Sequence, residues 1–208
     1  SGVDPTGAPP APVLQAAEPR RALALMAARF YAAQPQTIVA VTGTSGKTSV
    51  ADFARQIFAA LGRKAASLGT IGLLKPDGGV NASLTTPDPV TLHRMLADLA
   101  KEGVTHLAME ASSHGLDQFR LDGVALKAAA FTNLGRDHLD YHANAEAYFE
   151  AKLRLFAELL PREATAVVNA DASAAARVVA AARARGLKVM RVGKIGDGLS
   201  LERLSPDG

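Results

Sequence analysis

The sequence predicts an α/β fold, a mostly parallel sheet with helices on both faces. Two observations carry that expectation. Short β-branched or apolar runs alternate with stretches of helical periodicity between residues 37 and 192, a pattern that implies right-handed crossovers between parallel strands. Hydrophobic residues make up 48% of the 208, enough for a sizeable core. In open sheets of this kind ligands bind beyond the carboxyl ends of the strands, which directs attention to the residues just after 41, 110 and 132.

The elements follow in order. Residues 1–13, SGVDPTGAPPAPV, are rich in Pro and Gly and read as a linker or frayed tail. A helix is expected from Glu18 to Ala33, because Leu23, Met26, Ala27 and Phe30 recur at helical spacing, and Pro35 stops it. The first strand is TIVAV at 37–41, followed by a helix from Lys47 to Leu61 and the apolar run KAASLGTIGLL at 64–74. A helix from Pro89 to Lys101 leads into HLAMEA at 106–111, and KAAAFTNL at 127–134 is the next run. A helix from Asn144 to Leu160, the strand ATAVVN at 164–169, a helix from Ala172 to Arg185 and the strand LKVMRV at 187–192 complete the series.

Composition narrows the function classes. The 23 Lys and Arg against 20 Asp and Glu leave a net charge of +3, and the basic residues are scattered, which argues against nucleic acid as a partner. No cysteine occurs, so neither disulfides nor thiolate metal sites hold the fold, as suits a reducing cytoplasm. No apolar run approaches the roughly 20 residues of a membrane span, and the N-terminus lacks a charged head before an apolar core. A soluble, cytoplasmic protein without membrane contact is expected.

The stretch VTGTSGKTS, Val41 to Ser49, departs from the usual phosphate-loop pattern G-x-x-x-x-G-K-[ST], which requires glycine where Val41 stands. The glycine comes two residues later, at Gly43. The stretch nevertheless lies between an expected strand and an expected helix. Gly43 and Gly46 permit a tight turn, backbone N–H groups at the helix start face an anion, Lys47 supplies a point charge and the Thr48 hydroxyl can hold Mg²⁺. The plainer alternative is a Gly-rich turn with an exposed lysine.

Three further clusters follow strands. In AMEASSHGLDQFR, Glu110 ends a buried strand, where a carboxylate is costly without a cation or hydrogen-bond donors; it could also cap the next turn. Ser112, Ser113, His114, Gln118 and Arg120 crowd the next loop, although Ser-Ser-His-Gly is also ordinary turn chemistry. In FTNLGRDHLDYH, Asn133, Asp137, His138, Asp140 and His142 could serve a divalent ion, although Mg²⁺ seldom takes protein nitrogen and the aspartates suit turns equally well.

Lys152 is the most informative single residue. On a helical wheel Tyr148, Phe149, Leu153, Leu155, Phe156, Leu159 and Leu160 form an apolar arc, while Glu146, Glu150, Arg154 and Glu158 lie away from it. Lys152 falls inside the arc. Either its ammonium snorkels to the edge, or burial lowers its pKa and leaves a neutral amine able to add CO₂ as a carbamate, an oxygen ligand for magnesium.

These residues resemble the Mur ligases, the ATP-dependent amide-bond-forming enzymes of peptidoglycan precursor synthesis. The resemblance runs from about Thr37 to Asp171 and rests on TGTSGKTS, TTPD at 85–88, MEASSHGLDQFR, FTNLGRDHLDYH and the lysine in YFEAKLRLF. The first and last are shared with folylpolyglutamate synthases, whereas TTPD and SSHGL point to the branch that adds a diamino acid, meso-diaminopimelate or L-lysine, to UDP-N-acetylmuramoyl-L-alanyl-D-glutamate. The family's loop is the short form G-T-x-G-K-[ST]; serine at 45, where asparagine is frequent, is a mild departure.

The resemblance implies that Gly43, Thr44, Ser45, Gly46, Lys47, Thr48 and Ser49 bind ATP. It implies one Mg²⁺ on Thr48 and Glu110 and a second on His138 and a carbamylated Lys152. Thr85, Thr86, Ser112, Gln118 and Arg120 would contact the UDP-muramoyl-dipeptide. A monomer is implied, acting on small molecules alone. Residues 1–35 would be a linker and the exit helix of a missing uridine-binding domain, and residues 36–208 a P-loop-containing central domain truncated at its C-terminal end. The alternatives are another Mur ligase, a folylpolyglutamate synthase, or an ATP-binding fragment without turnover.

Overall fold

The computed structural model describes residues 15–81, 84–138 and 140–200; the expected linker at 1–13 lies outside them. The described residues form a nine-stranded sheet. In chain order the strands are β1 (Thr37–Thr42), β2 (Ala65–Gly69), β3 (Gly72–Leu74), β4 (Val80–Asn81), β5 (His106–Glu110), β6 (Leu126–Phe131), β7 (Thr165–Asn169), β8 (Lys188–Gly193) and β9 (Leu199–Ser200). Their spatial order is β4-β3-β2-β5-β1-β6-β7-β8-β9. The β2–β3 and β3–β4 pairs are antiparallel and the other six are parallel, so the mostly parallel sheet expected from the alternation is present.

The helices are α1 (Pro19–Tyr31), α2 (Lys47–Ala60), α3 (Pro89–Lys101), α4 (Ser113–Asp117), α5 (Ala145–Arg154), which runs into a π-helical turn (Leu155–Leu159), and α6 (Ala175–Ala184). β1 is apolar on both faces because both are covered. Ile38 and Ala40 join the main core with Leu92 and Leu96 of α3, Phe156 of the π-turn and Val178 of α6. Val41 packs on Ala51 of α2 on the opposite face. Asp88 starts α3 by accepting from the Val90 and Thr91 N–H groups, with Pro89 at the first helical position. Among the described residues no helix is long and apolar enough to cross a membrane.

Three expectations need correction. The run at 64–74 is a hairpin of two strands, since the chain turns at Thr70 and Ile71 and Gly72 takes φ +111°. Of the α1 stripe only Ala27 is buried, joined by Ala24, whereas Leu23, Met26 and Phe30 point outward, Phe30 being 82% exposed. Small residues let α1 approach α3 and the 121–125 turn, where a Cβ on Gly123 would meet Ala28 Cβ at 2.4 Å. The helix expected at 144–160 changes hydrogen-bonding period after Arg154, the Leu160 N–H donating to the Leu155 carbonyl five residues back. The apolar arc of the wheel still holds across the change, since Leu155, Phe156 and Leu160 are buried and Glu158 is exposed, whereas Arg154, placed away from the arc, is half-buried with its side chain 10% exposed.

Candidate functional site

The carboxyl ends of β1, β5 and β6 lie side by side, and the loops leaving them converge. The turn from β1 into α2 needs both its glycines. Gly43 has φ +147° and a Cβ there would lie 1.9 Å from Thr132 Oγ1; Gly46, at φ +83°, is the left-handed residue that starts α2. No side chain caps α2, so the first-turn N–H groups are left for an anion. The loop after β6 braces the turn: Ser45 N–H donates to Asn133 Oδ1 (2.9 Å), Thr44 N–H to the Asn133 carbonyl (3.0 Å), Thr132 Oγ1 to the Ser45 carbonyl (2.7 Å) and Gly135 N–H to Thr44 Oγ1 (2.8 Å). Ser49 is exposed on α2. Lys47 is not a free surface lysine, because its Nζ donates to the carbonyls of Gly43 (3.0 Å) and Thr44 (2.9 Å). Burial pulls its pKa below the ordinary lysine value, with Glu110 and Asp137 opposing.

Glu110 is 1% exposed at the end of β5. Its Oε1 accepts from Thr48 Oγ1 and from the Thr70 N–H, both at 2.8 Å, and its Oε2 accepts from Thr70 Oγ1 at 3.3 Å. Those donors are all neutral. The β2–β3 hairpin supplies the Thr70 pair, and Gly69 leaves the room, since a Cβ there would sit 2.0 Å from Glu110 Oε1. A buried carboxylate and a hydroxyl in contact, both hard oxygen donors beside an uncapped helix start, suit a magnesium ion.

Lys152, 1% exposed, extends from α5 to the same oxygen that Lys47 uses: its Nζ donates to the Gly43 carbonyl at 2.8 Å. It lies 4.2 Å from the centre of the Tyr148 ring, whose hydroxyl is 3.1 Å from Thr44 Oγ1. Burial, and secondarily the charge of Lys47, lowers its pKa to about 7. Two amines sharing one carbonyl do not both hold a proton comfortably, and Lys152, the more deeply buried, is the one driven towards neutrality. The wheel's placement of Lys152 in the apolar arc is therefore correct, and its amine turns inward rather than snorkelling out.

An open cavity of about 480 Å³ joins these groups to the other loops, lined by Lys47, Thr70, Thr85, Thr86, Ser112, Arg120, His138 and Lys152 among others. Thr86, Glu110 and Ser112 are knitted together, Thr86 Oγ1 donating to the Glu110 carbonyl (3.0 Å) and accepting from the Ser112 N–H (3.1 Å). Ser112 Oγ accepts from Gly115 N–H and starts α4, so the turn reading of that hydroxyl also holds. Thr85 Oγ1 is 3.1 Å from Thr70 Oγ1. Gln118 stands behind Arg120 rather than on the cavity wall, its Oε1 accepting from Arg120 Nη2 at 2.7 Å while Arg120 Nη1 donates to the Thr86 carbonyl at 2.7 Å.

The 133–142 cluster does not converge as one ion site. Asn133 braces the β1–α2 turn. His138, at φ +53°, is exposed beside Asp137, and its ring lies 4.8 Å from that of His114. His142 is buried, its Nε2 unpaired and its pKa lowered chiefly by burial. Among the described residues no group of three or more His, Asp or Glu is placed to hold a metal.

The profile of the Mur ligase middle domain matches residues 41–203. The chain belongs to the Mur ligase family. A UDP-N-acetylmuramoyl-L-alanyl-D-glutamate–2,6-diaminopimelate ligase of Bradyrhizobium diazoefficiens is 62% identical over 187 residues, which cover 90% of this chain and 39% of that protein. The ligase of the same description from Caulobacter vibrioides is 54% identical, over 94% and 41%. A solved structure of a ligase so described superimposes with a TM-score of 0.77 at 33% identity, covering 89% of this chain and 38% of the other. A MurF structure from Acinetobacter baumannii shares the fold, with a TM-score of 0.65 at 24% identity. The chain thus spans about two-fifths of the length of these relatives.

In this Mur ligase middle domain the residues that sequence reading passed over are supporting ones. Thr70 and Gly69, which seat Glu110, lay within a run read as one apolar segment. Tyr148 counted only as an apolar member of the α5 arc, and its hydroxyl was the one signal of a polar partner.

Proposed function

We propose that this chain is the nucleotide-binding middle part of a longer ATP-dependent ligase of peptidoglycan precursor synthesis. The reaction activates the D-glutamate carboxylate of UDP-N-acetylmuramoyl-L-alanyl-D-glutamate as an acyl-phosphate and joins it to 2,6-diaminopimelate. The contact of Thr48 with buried Glu110 beside an uncapped, lysine-bearing turn carries the reading. The names of the relatives favour diaminopimelate over L-lysine. In that longer protein α1 leads in from a uridine-binding domain, and residues 36–208 form the central domain.

In this reading Gly43 to Ser49 receive the phosphates of ATP. Thr48 and Glu110 hold one magnesium ion, and His138 with a carbamate on Lys152 holds a second. When bound, these ions neutralise phosphate charge. The carbamate forms when the neutral Lys152 amine adds CO₂ and releases a proton, leaving one N–H for the Gly43 carbonyl. Lys47 screens the repulsion between the substrate carboxylate and the γ-phosphate. The carboxylate oxygen attacks the γ-phosphorus and ADP leaves; the diaminopimelate amine then attacks the acyl carbon and inorganic phosphate leaves. Thr85, Thr86, Ser112 and Arg120, with Gln118 behind, contact the muramoyl-dipeptide.

Calorimetric titration of the chain with a non-hydrolysable ATP analogue and Mg²⁺ tests the nucleotide site. Lys47→Ala is expected to abolish detectable binding while the thermal transition persists, because its contacts are confined to its own turn. Unchanged affinity would sink the phosphate-loop reading. For Lys152, ¹³C-labelled bicarbonate should give a carbamate carbonyl resonance that is missing from Lys152→Ala; its absence from the wild-type chain saturated with Mg²⁺ and nucleotide would count against the modification.

A further inference from the structure

One deeply placed guanidinium has no part in the chemistry above. Arg154, with a side chain 10% exposed, follows Lys152 by two residues on α5 and points to the other side of the helix. Its Nη2 donates to both oxygens of Asp122 at 2.8 Å, and that carboxylate is 2% exposed. Its Nη1 donates to the Leu116 carbonyl at 3.0 Å, its Nε to Glu158 Oε2 at 2.9 Å, and its Cζ lies over the Phe119 ring, 4.4 Å from the centre. Three of those four partners belong to one short segment, residues 116–122.

That segment carries Gln118 and Arg120. Between them Phe119 adopts φ +59°, a left-handed conformation that a bulky side chain takes only when its surroundings impose it. The guanidinium over the ring holds it, and the two hydrogen-bonded ends of the segment hold the backbone on either side. With Phe119 fixed, Gln118 Oε1 meets Arg120, and Arg120 Nη1 reaches the Thr86 carbonyl at the cavity edge. The same helix reaches the nucleotide turn through Tyr148 and Lys152.

We propose that Arg154 is a positioning residue that sets Gln118 and Arg120 for the muramoyl-dipeptide. The proposal rests on the functional reading above. An ion pair that merely stabilised α5 would lower the folded fraction and with it the apparent kcat while leaving both KM values in place, whereas a clamp on residues 116–122 changes the KM of one substrate. Lysine cannot replace arginine here, because a compact ammonium on a shorter reach cannot give the forked bond to both Asp122 oxygens and the Leu116 carbonyl while lying over the Phe119 ring.

The test measures phosphate release by the full-length ligase with each substrate varied in turn. Arg154→Lys is expected to raise KM for the muramoyl-dipeptide about tenfold or more while KM for ATP stays within about twofold. Arg154→Ala is expected to show the same split, with partial recovery on addition of methylguanidinium. Equal rises in both KM values, a fall confined to kcat, or unchanged constants would overturn the clamp. If Arg154→Ala does not fold, Arg154→Lys alone decides. Wild-type enzyme with no turnover that depends on the muramoyl-dipeptide would instead remove the functional reading, and the clamp with it.

Discussion

Lys152 shows how burial sets the chemistry of a single residue. Its amine is enclosed by α5 and the β1–α2 turn and shares the Gly43 carbonyl with Lys47, so the folded pKa of about 7 lies well below the ordinary lysine value of 10.5. The sign of the resulting pH dependence follows from proton counting. Between these two values the unfolded chain holds a proton that the folded chain has released, so stability rises with pH through this window. Below it both states are protonated and the cost of the buried charge is fully present. The stability difference between wild type and Lys152→Met, from denaturant titration in CO₂-free buffer, should therefore shift in favour of wild type. The expected slope is about 1 kcal/mol per pH unit between pH 7.5 and about 9.5. A pH-independent difference would show that the amine stays charged.

At the scale of elements, the β1–α2 turn depends on the loop after β6 as much as on its own glycines. Gly43 combines φ +147° with a neighbour where a Cβ would lie, Thr132 Oγ1 at 1.9 Å. Gly62, just after α2, has φ +74° and nothing within 4 Å. Gly62→Ala is therefore expected to cost only the left-handed backbone strain, about 1 kcal/mol. Gly43→Ala must also displace Thr132, and with it the hydrogen bond to the Ser45 carbonyl, so nucleotide affinity should fall at least about tenfold. Comparing thermal transitions and nucleotide titrations of the two variants checks this. Equal behaviour of both would mean that the Thr132 brace does not shape the turn.

At the scale of the molecule, one face of the sheet's carboxyl end holds the turn, the magnesium-suited pair and the cavity, yet the chain covers only about two-fifths of the length of its relatives. Ligation requires an amine held against an acyl-phosphate, and proximity is a large part of such catalysis. The 208-residue chain by itself is expected to bind nucleotide and to show no phosphate release dependent on the muramoyl-dipeptide and diaminopimelate. Turnover close to that of an intact ligase would show that the chain already holds every group the reaction needs.

Much of this was legible in the sequence, because it depends on local patterns. Alternating periodicities set a mostly parallel sheet, a strand–glycine–lysine–helix order set the tight turn from β1 into α2, and an apolar arc on α5 placed Lys152 indoors. Each is a property of residues within a few turns of one another. What only the tertiary structure decided are meetings across the chain. Lys152 finds the carbonyl of Gly43, 109 residues away, Thr70 seats Glu110 because a run of apolar residues folds back on itself, and Arg154 meets the carboxylate of Asp122, 32 residues before it. The physical reason is the same in each case: the energy of a buried charge depends on the groups packed around it, and distant segments supply them only once the sheet has formed.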